Sequence, residues 1–209
     1  MALSDPQIAA ALEPFGVRLV PDLADSIRRY IRLLLIWNQK INLTTICDPI
    51  EIVERHFGES MFAIHAVPIQ QGRLADVGSG AGFPAMALKI GCPALQLTLI
   101  EAHARKAAFL LELKRELNLS GIEIVRERYE NVGEQILHTD FLTARALGNF
   151  STFLHWAPNS LCPNGKVLLW LGANDAEELQ SIAGWVWQDP IFIPRSEKRV
   201  LLIGSPERA

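Results

Sequence analysis

The sequence predicts an α/β protein built on a mainly parallel β-sheet. Short apolar runs alternate with helical patterns from residue 73 onward, which is typical of parallel strands joined by crossover helices. A glycine-rich run at 76–84 ends the first of these strands and opens a helix. Near the C-terminus, two apolar runs are joined through Pro194 to Lys198, and this short connection predicts an antiparallel hairpin. A parallel sheet that closes on an antiparallel pair accounts for all three observations.

The N-terminal part of the chain predicts helices. Ser4 and Gln7 offer a capping box for a first helix, and a second helix follows Pro21. A third runs from a cap at Asp48 toward Ala66. The apolar positions of the second pattern share one face and are Leu23, Ile27, Tyr30, Ile31, Leu34 and Ile41.

Seven strands are predicted in the rest of the chain. They cover 73–77, 96–100, 122–126, 141–145 and 166–170, with a closing pair near 186–193 and 199–203. We therefore divide the chain into an N-terminal helical region, residues 1–70, and a sheet domain, residues 71–209.

The composition indicates an ordinary soluble enzyme. The chain has 209 residues, a formal net charge of −3 and 49% hydrophobic residues, so it can bury a core and is not built to coat nucleic acid by charge alone. Its three cysteines are far apart and form no C-x-x-C pair, so we expect neither a disulfide framework nor a metal site. No basic segment precedes an apolar one at the N-terminus, and no stretch reaches the roughly 18 apolar residues of a membrane span. We expect a cytoplasmic protein without a membrane partner.

The glycine-rich run has the character of a nucleotide-binding loop, but not the spacing of the dinucleotide fingerprint. Gly78, Gly80 and Gly82 alternate, whereas that fingerprint places its third glycine one residue later. Asp76 would repel a pyrophosphate there, but it can receive the ammonium of an amino acid, directly or through water. The pattern D-x-G-x-G-x-G resembles the first motif of S-adenosylmethionine-dependent methyltransferases, which implies that cofactor. Taken alone, the motif is also compatible with a purely structural tight turn.

Glu101 supplies the second half of the predicted cofactor site. It follows the apolar strand at 96–100, and a carboxylate at a strand end is the acceptor that a ribose diol requires. Because the glycine loop and Glu101 lie in one β-α-β unit, we predict that the chain binds adenosine. Seven strands with a final antiparallel pair also resemble the Rossmann-like sheet of class I methyltransferases.

Polar residues at the other strand ends are further candidates, because ligands of such sheets lie outside the carboxyl ends of the strands. Tyr129 and Glu130 follow the third strand, and we expect them at the adenine unless this segment is only an exposed turn. Arg145 interrupts the apolar end of the fourth strand, where an arginine is unfavourable unless it is paired. It either forms a structural salt bridge or meets the cofactor carboxylate or the substrate.

Further motifs make nearly the whole chain similar to one bacterial family. They are Trp37-Asn38, Ile41–Thr45, Arg55-His56-Phe57 with Ser60, Asp76–Pro84 and Ala144-Arg145-Ala146. Together they resemble the glucose-inhibited division protein B family, whose members methylate N7 of a guanine in 16S ribosomal RNA. The resemblance implies that activity, and it implies 16S rRNA or the 30S subunit as the partner.

The resemblance also implies roles for particular residues. Cofactor contact is implied for Gly78, Phe83, Tyr129, Glu130 and Arg145, with Glu101 at the ribose. The chain departs from the family pattern in two ways. Glu59 and Glu101 stand where members often carry Asp, and Leu171 precedes Gly172 where a lysine is common. If that lysine touches RNA phosphate in relatives, another cation must replace it here.

Methylation of guanine N7 asks little acid–base chemistry of the protein. N7 has a free in-plane lone pair and can attack a methyl group in line without a general base, so catalysis is positioning and electrostatics. We expect Arg145 and His56 as the catalytic residues, with Arg55 beside the base. For His56, a hydrogen bond from the helix face to a neighbour is the alternative.

Local basic clusters have to favour RNA, because the net charge is negative. The clusters are Arg28, Arg29, Arg32 and Lys40; Arg105 and Lys106; Arg126 and Arg128; and Arg195, Lys198 and Arg199. A solvated face is the alternative for each cluster. Two other functions stay open at this point, a small-molecule methyltransferase with the same cofactor and a non-enzymatic adenosine-sensing module. We expect a monomer.

Overall fold

A computed structural model describes residues 3–133 and 138–207. The helices are α1 (Asp5–Leu12), α2 (Pro21–Asn38), α3 (Pro49–Ile52), α4 (Glu59–Met61), α5 (Ala63–Ala66), α6 (Ala85–Gly91), α7 (Ala104–Glu116), α8 (Phe150–Ser160) and α9 (Ala173–Gln180). A π-helical segment, Val53–Gly58, joins α3 to α4, and 3-10 turns lie at Glu13–Phe15 and Tyr129–Asn131. The strands are β1 (Gln71–Val77), β2 (Ala94–Ile100), β3 (Ile122–Val125), β4 (Thr139–Arg145), β5 (Leu161–Gly172), β6 (Trp185–Trp187), β7 (Ile191–Phe192) and β8 (Arg199–Pro206).

The strands form one sheet in the order β3-β2-β1-β4-β5-β8-β6, and β7 also pairs with β8. Strands β1 to β5 are parallel, so that Leu74 pairs with Leu97 of β2 on one side and with Phe141 of β4 on the other. Strand β8 is antiparallel to β5, with Leu202 opposite Leu169. The predicted α/β class is confirmed. The chain order reverses between β1 and β4, which is where sheets of this kind bind their ligands.

The closing edge differs from the prediction of one strand near 186–193, which was wrong. Two short strands, β6 and β7, lie there, and both pair with β8. Residues 188–190 separate them and oppose only residues 202–203, so the edge bulges by one residue. Pro190 lies in the break and has no N–H to donate to β8. The hairpin between β7 and β8 is as predicted.

The N-terminal helices begin at the predicted caps. The Ser4 amide donates to Oε1 of Gln7 at 3.0 Å, and the Glu51 amide donates to Oδ1 of Asp48 at 2.9 Å. The prediction of a single helix from 48 to 66 was wrong, because the π-helical segment interrupts it. The apolar repeat of 3.6 residues did not reveal this wider turn. Turns of this kind are frequent at functional sites. Helix α2 ends at Asn38, so Ile41 lies beyond it.

Helices cover both faces of the sheet. On one face, Leu34 of α2 and Phe109 of α7 are buried in one cluster with Leu97 of β2. On the other face, Phe153 of α8 is buried with Leu169 of β5. The N-terminal helices therefore share a core with the sheet, and a domain division near residue 70 stays a prediction. Among the described helices, none combines the length and apolarity that crossing a bilayer requires.

Candidate active site

The loop after β1 presents open backbone at the end of the strand. Gly78 and Gly80 take left-handed φ values of +70° and +53°. The amides of Gly78 and Ser79 donate to the Ile100 carbonyl at 2.9 and 3.1 Å, which ties the loop to the end of β2. A Cβ on Gly80 would meet, among the described residues, only the Gly78 carbonyl oxygen, at 3.6 Å. The loop therefore has the space and the backbone conformation to hold a ligand closely.

Gly82 is required for a different reason from the other two glycines. Its φ is +89°, and a Cβ there would clash with the hydroxyl of Tyr30, which donates to the Ala81 carbonyl at 2.6 Å. Phe83 is buried between two rings, with centroids 4.9 Å from Tyr30 and 4.6 Å from His56. Both residues thus lock the loop onto α2 and the π-helical segment, and cofactor contact by either stays a prediction.

Asp76 is a buried carboxyl with one oxygen unused. Its Oδ1 accepts from the Thr143 hydroxyl at 2.6 Å, whereas Oδ2 has no hydrogen-bond partner among the described residues. Burial is the main cause that raises the pKa of Asp76 to about 7; the charge of Glu101 acts in the same direction, and the hydrogen bond from Thr143 opposes the shift. A carboxyl in this state suits a cationic group of a ligand, which would supply both the charge and the missing donor. This observation fits the amino-acid end of the predicted cofactor.

Glu101 lies against the glycine loop, as the predicted site requires. Its Oε2 accepts from the Gly80 amide at 2.9 Å, and its Oε1 accepts from the His103 amide at 2.7 Å. The side chain is buried, and each oxygen keeps a second lone pair for a hydroxyl donor. The carboxylate is therefore oriented by two backbone amides at the edge of the loop, in a position that fits a ribose.

Tyr129 and Glu130 lie in the 3-10 turn after β3. The Tyr129 ring packs edge-on against Trp156, with centroids 5.1 Å apart, and against Phe153, at 6.2 Å. Glu130 is exposed. The turn thus holds an aromatic ring in place after β3, the strand that pairs with β2, and its contact with adenine stays a prediction.

Arg145 is paired, as one of the two alternatives from the sequence required. Its Nη2 donates to Oε2 of Glu59 at 3.1 Å and to the Arg55 carbonyl at 3.0 Å. Its Nη1 is buried and has no partner among the described residues. One terminal nitrogen of the guanidinium, Nη2, is therefore held in a structural salt bridge, whereas the other, Nη1, is left as a donor without an acceptor in the described part of the chain.

Glu59 is the centre of this cluster, and the sequence did not reveal that role. It is 1% exposed, and its Oε1 accepts from Nε of both Arg55 and Arg199 at 2.9 Å. With Arg145, three guanidinium groups share one buried carboxylate. The only local signal was the spacing of four residues between Arg55 and Glu59, which is too common to be decisive.

His56 takes the helix-face hydrogen bond that was the alternative to a place at the base. Its Nε2 lies 2.9 Å from the Thr44 hydroxyl oxygen, and its Nδ1 is buried without a partner among the described residues. Burial, and then the charges of Arg145 and Arg55, together lower the pKa of His56 to about 3. The ring is therefore neutral at physiological pH, and a role as an acid or base is not supported.

A cavity of about 360 Å³ opens at the ends of β4 and β5. Its lining consists of Glu59, Arg145, Ala146, Leu147, Phe150, Trp170, Leu171, Gly172, Asp175, Ile193 and Arg199. It borders the glycine loop, because Leu147 Cδ1 lies 3.6 Å from the position of a Cβ on Gly78. A groove of about 400 Å³ lies elsewhere, between the first helices at Leu3 and Leu35, so size alone does not mark the site.

Most of the basic cluster on α2 is neutralised locally. Arg28 pairs with Asp5, and Arg29 and Arg32 both pair with Glu116. Arg199 instead lines the cavity, where it pairs in register with Gly172 at the end of β5. In residues 3–133 and 138–207, no group of His, Cys, Asp and Glu is arranged to hold a metal ion.

Comparisons with known proteins agree with this geometry. The family described as "rRNA small subunit methyltransferase G" matches residues 23–185. The chain is 39% identical to a protein of Xylella fastidiosa (strain 9a5c) named "Ribosomal RNA small subunit methyltransferase G", over 92% of this chain and 89% of the relative. It is 35% identical to a protein of the same name from Stenotrophomonas maltophilia (strain R551-3), over 95% and 96% of the two chains.

Solved structures share the fold at low sequence identity. A "SAM dependent methyltransferase from Aquifex aeolicus" superposes with a TM-score of 0.62 at 15% identity, covering 75% of this chain and 93% of that one. The "ribosomal protein L11 methylase" of Lactobacillus delbrueckii subsp. bulgaricus superposes with a TM-score of 0.58 at 17% identity, covering 74% and 80%. The Rossmann-like methyltransferase fold predicted from the sequence is confirmed.

Proposed function

The chain belongs to the rRNA small subunit methyltransferase G family, and on this premise we propose that it methylates N7 of one guanine in 16S rRNA. It is an rRNA methyltransferase that uses S-adenosylmethionine. The observation that carries the proposal is the extent of the family match, which covers the glycine loop, Glu101 and Arg145. The remainder of the reaction is argued from the side chains of this chain.

The cofactor roles follow from the unused polar groups of the site. S-adenosylmethionine supplies, when bound, an electrophilic methyl group on a sulfonium. We propose that Asp76 holds its ammonium, Glu101 its ribose, and Tyr129 with Glu130 its adenine. Gly78 and Gly80 leave room for it, and Phe83 supports the loop from behind. These residues lie over β1, β2 and β3, so the ends of β4 and β5 are left for the methyl acceptor.

The transfer needs no proton relay in this site. The N7 lone pair forms the new C–N bond as the S–CH₃ bond breaks, so the positive charge passes from the sulfonium to the purine ring and no proton moves. A neutral His56 is compatible with that chemistry, because its pKa of about 3 leaves it unable to gain a proton at neutral pH. The chain contributes orientation and fixed charges, which is how we propose it accelerates the reaction.

The proposal is tested by locating the methyl group. Cofactor labelled in its methyl group is incubated with wild-type protein and with isolated 30S subunits, free 16S RNA or a metabolite extract. We expect label in RNA, and N7-methylguanine revealed as one stop by reduction, aniline cleavage and primer extension. The stop should be missing in RNA from cells lacking the protein. Label in a small metabolite would favour the small-molecule alternative, and binding without transfer would favour the adenosine-sensing module.

The cellular setting follows from the same proposal. We propose that the protein acts as a monomer in the cytoplasm, on 16S rRNA or the 30S subunit. Light scattering of the purified chain should then give a mass near 23.2 kDa. The two RNA substrates in the methylation assay decide between free and assembled RNA.

Cofactor affinity should depend on pH through Asp76. Below its pKa of about 7 the carboxyl is neutral, so raising the pH ionises it and should strengthen ammonium binding, by up to about tenfold per unit. The gain should level off above about pH 7, and binding should weaken again above about pH 8, where an α-amino group itself loses its proton. Calorimetry from about pH 5.5 to 7.5 measures this trend. Asp76→Asn should bind more weakly at neutral pH and show a flat profile, and parallel profiles would contradict the role of Asp76.

Arg145→Ala should lower methyl transfer by roughly 100-fold while reducing the free energy of unfolding by only about 1–2 kcal/mol. Glu59 keeps Arg55 and Arg199 as partners in this variant, so the buried carboxylate is not left alone. Arg145→Lys should rescue activity poorly, because one ammonium cannot reproduce the two directions of a guanidinium. Transfer rates and thermal unfolding are measured on the same preparations. Losses of activity and stability in proportion would leave Arg145 a purely structural role.

A further inference from the structure

The cavity at the ends of β4 and β5 presents a donor and an acceptor on its walls. It adjoins the glycine loop through Leu147 and extends away from it, past Arg145, to the first turn of α9. Its volume of about 360 Å³ is at the low end for pockets that take small ligands, and it suits one base. Phe150 supplies an aromatic ring to the lining.

The donor is the free half of Arg145. Glu59 and the Arg55 carbonyl hold Nη2, so the guanidinium is oriented before any ligand arrives. Nη1 is buried without a partner, although Arg145 lines the cavity. A buried N–H of this kind is unfavourable until an acceptor reaches it.

The acceptor is Asp175, in the first turn of α9. Its side chain lines the cavity, and Oδ2 lies 3.1 Å from the position of a Cβ on Gly172, at the end of β5. It has no hydrogen bond or ion pair within the described residues. The carboxylate is exposed, so both oxygens can accept from a ligand.

We propose that Asp175 is the residue that selects guanine, by accepting hydrogen bonds from N1–H and from the exocyclic amine; this rests on the proposed function. Round the edge of guanine, N7 is followed by O6, then N1–H and the amine. Across the sheet, the cofactor loop of β1 is followed by Arg145 on β4 and Asp175 after β5. With N7 toward the cofactor, O6 meets the free donor of Arg145, and the two N–H groups meet Asp175.

Adenine would be rejected by the same pair of residues. It places an amino group where Arg145 donates and a ring acceptor where Asp175 accepts, so both contacts turn from favourable to unfavourable. Asp175 also contributes to the rate. The purine becomes cationic as N7 is methylated, and a carboxylate bonded to its far edge is attracted more strongly as that charge develops.

The test combines one protein change with one base change. 16S RNA is ligated with guanosine or inosine at the target position and assembled into 30S subunits; inosine lacks only the exocyclic amine. We expect wild-type kcat/KM to fall about 10- to 100-fold from guanosine to inosine, as for one lost charge-assisted hydrogen bond. Asp175→Asn should lower kcat/KM on guanosine by a similar factor and reduce the preference for guanosine to about twofold or less. Its affinity for S-adenosylmethionine, measured by calorimetry, should not change.

Glu177→Gln is the matched control, because Glu177 is exposed on the same helix and does not line the cavity. It should keep both the activity and the preference of the wild type. A full guanosine preference in Asp175→Asn, or an equal loss in Glu177→Gln, would overturn the role of Asp175 while leaving the proposed function intact. If wild-type protein methylates no guanosine-containing RNA, the proposed function fails, and this inference fails with it.

Discussion

Gly80→Val protein is expected to fold but to bind S-adenosylmethionine more than about 100-fold more weakly than the wild type. A Cβ on Gly80 points into open space at the end of β1, so the valine methyl groups would occupy the volume that the cofactor needs. The φ of +53° also disfavours a β-branched residue, and the loop cannot shift freely because the Gly80 amide donates to Glu101. Calorimetry on the folded variant measures the loss.

Gly184→Val separates the two causes. Gly184 has a φ of +86° and no described atom within 4 Å of a Cβ, so the substitution brings similar backbone strain with no ligand nearby. We expect some loss of thermal stability and an unchanged cofactor affinity. Wild-type affinity in Gly80→Val would place the cofactor elsewhere, and weak binding in both variants would attribute the effect to strain alone.

Glu59→Ala is expected to lower the free energy of unfolding by about 3–5 kcal/mol, the range for breaking a buried ion pair by removing one partner. The carboxylate is 1% exposed and pairs with Arg55, Arg145 and Arg199, so its loss leaves three cations close together without their shared counter-ion. Denaturant unfolding followed by tryptophan fluorescence measures the change. Glu59→Gln keeps the shape of the side chain without the charge, and it should lose less stability.

The control for Glu59 is Glu51→Ala. Glu51 lies four residues before Arg55, 3.8 Å from its Nη1, but its side chain is half exposed at 48%. An exposed pair of this kind is worth about 0–1 kcal/mol, so the change in stability should be small. Equal losses in the two alanine variants would show that burial of Glu59 is not what makes the cluster stabilising.

The meeting of the glycine loop with Glu101 was predictable because it is local. Asp76, Gly80 and Glu101 belong to one β-α-β unit, and parallel pairing of β1 with β2 brings a loop and a strand-end carboxylate together without help from distant elements. Glycine spacing and the residue at a strand end can be read directly from the sequence. The parallel sheet was predictable for the same reason, because the alternation of strands and helices is also a local pattern.

The glycine motif also shows what the sequence pattern could not predict. Gly78, Gly80 and Gly82 look equivalent in the pattern, yet Gly82 is required by the Tyr30 hydroxyl, which reaches the loop from α2. His56 was a plausible catalytic residue by position. Its hydrogen bond with Thr44, and the burial that keeps it neutral, depend on how three segments pack together.

By itself, the sequence determined the α/β class, the order of most elements, the glycine loop and the carboxylate beside it, because periodicity, turn chemistry and strand-end position act over a few residues. Only the tertiary structure decided which charges meet. Glu59 binds Arg145 and Arg199 across 86 and 140 residues of chain, and Asp175 shares a cavity with Arg145 after a separate crossover. Contacts of that range follow from the packing of whole helices and strands, and no local spacing encodes which buried carboxylate will face which guanidinium.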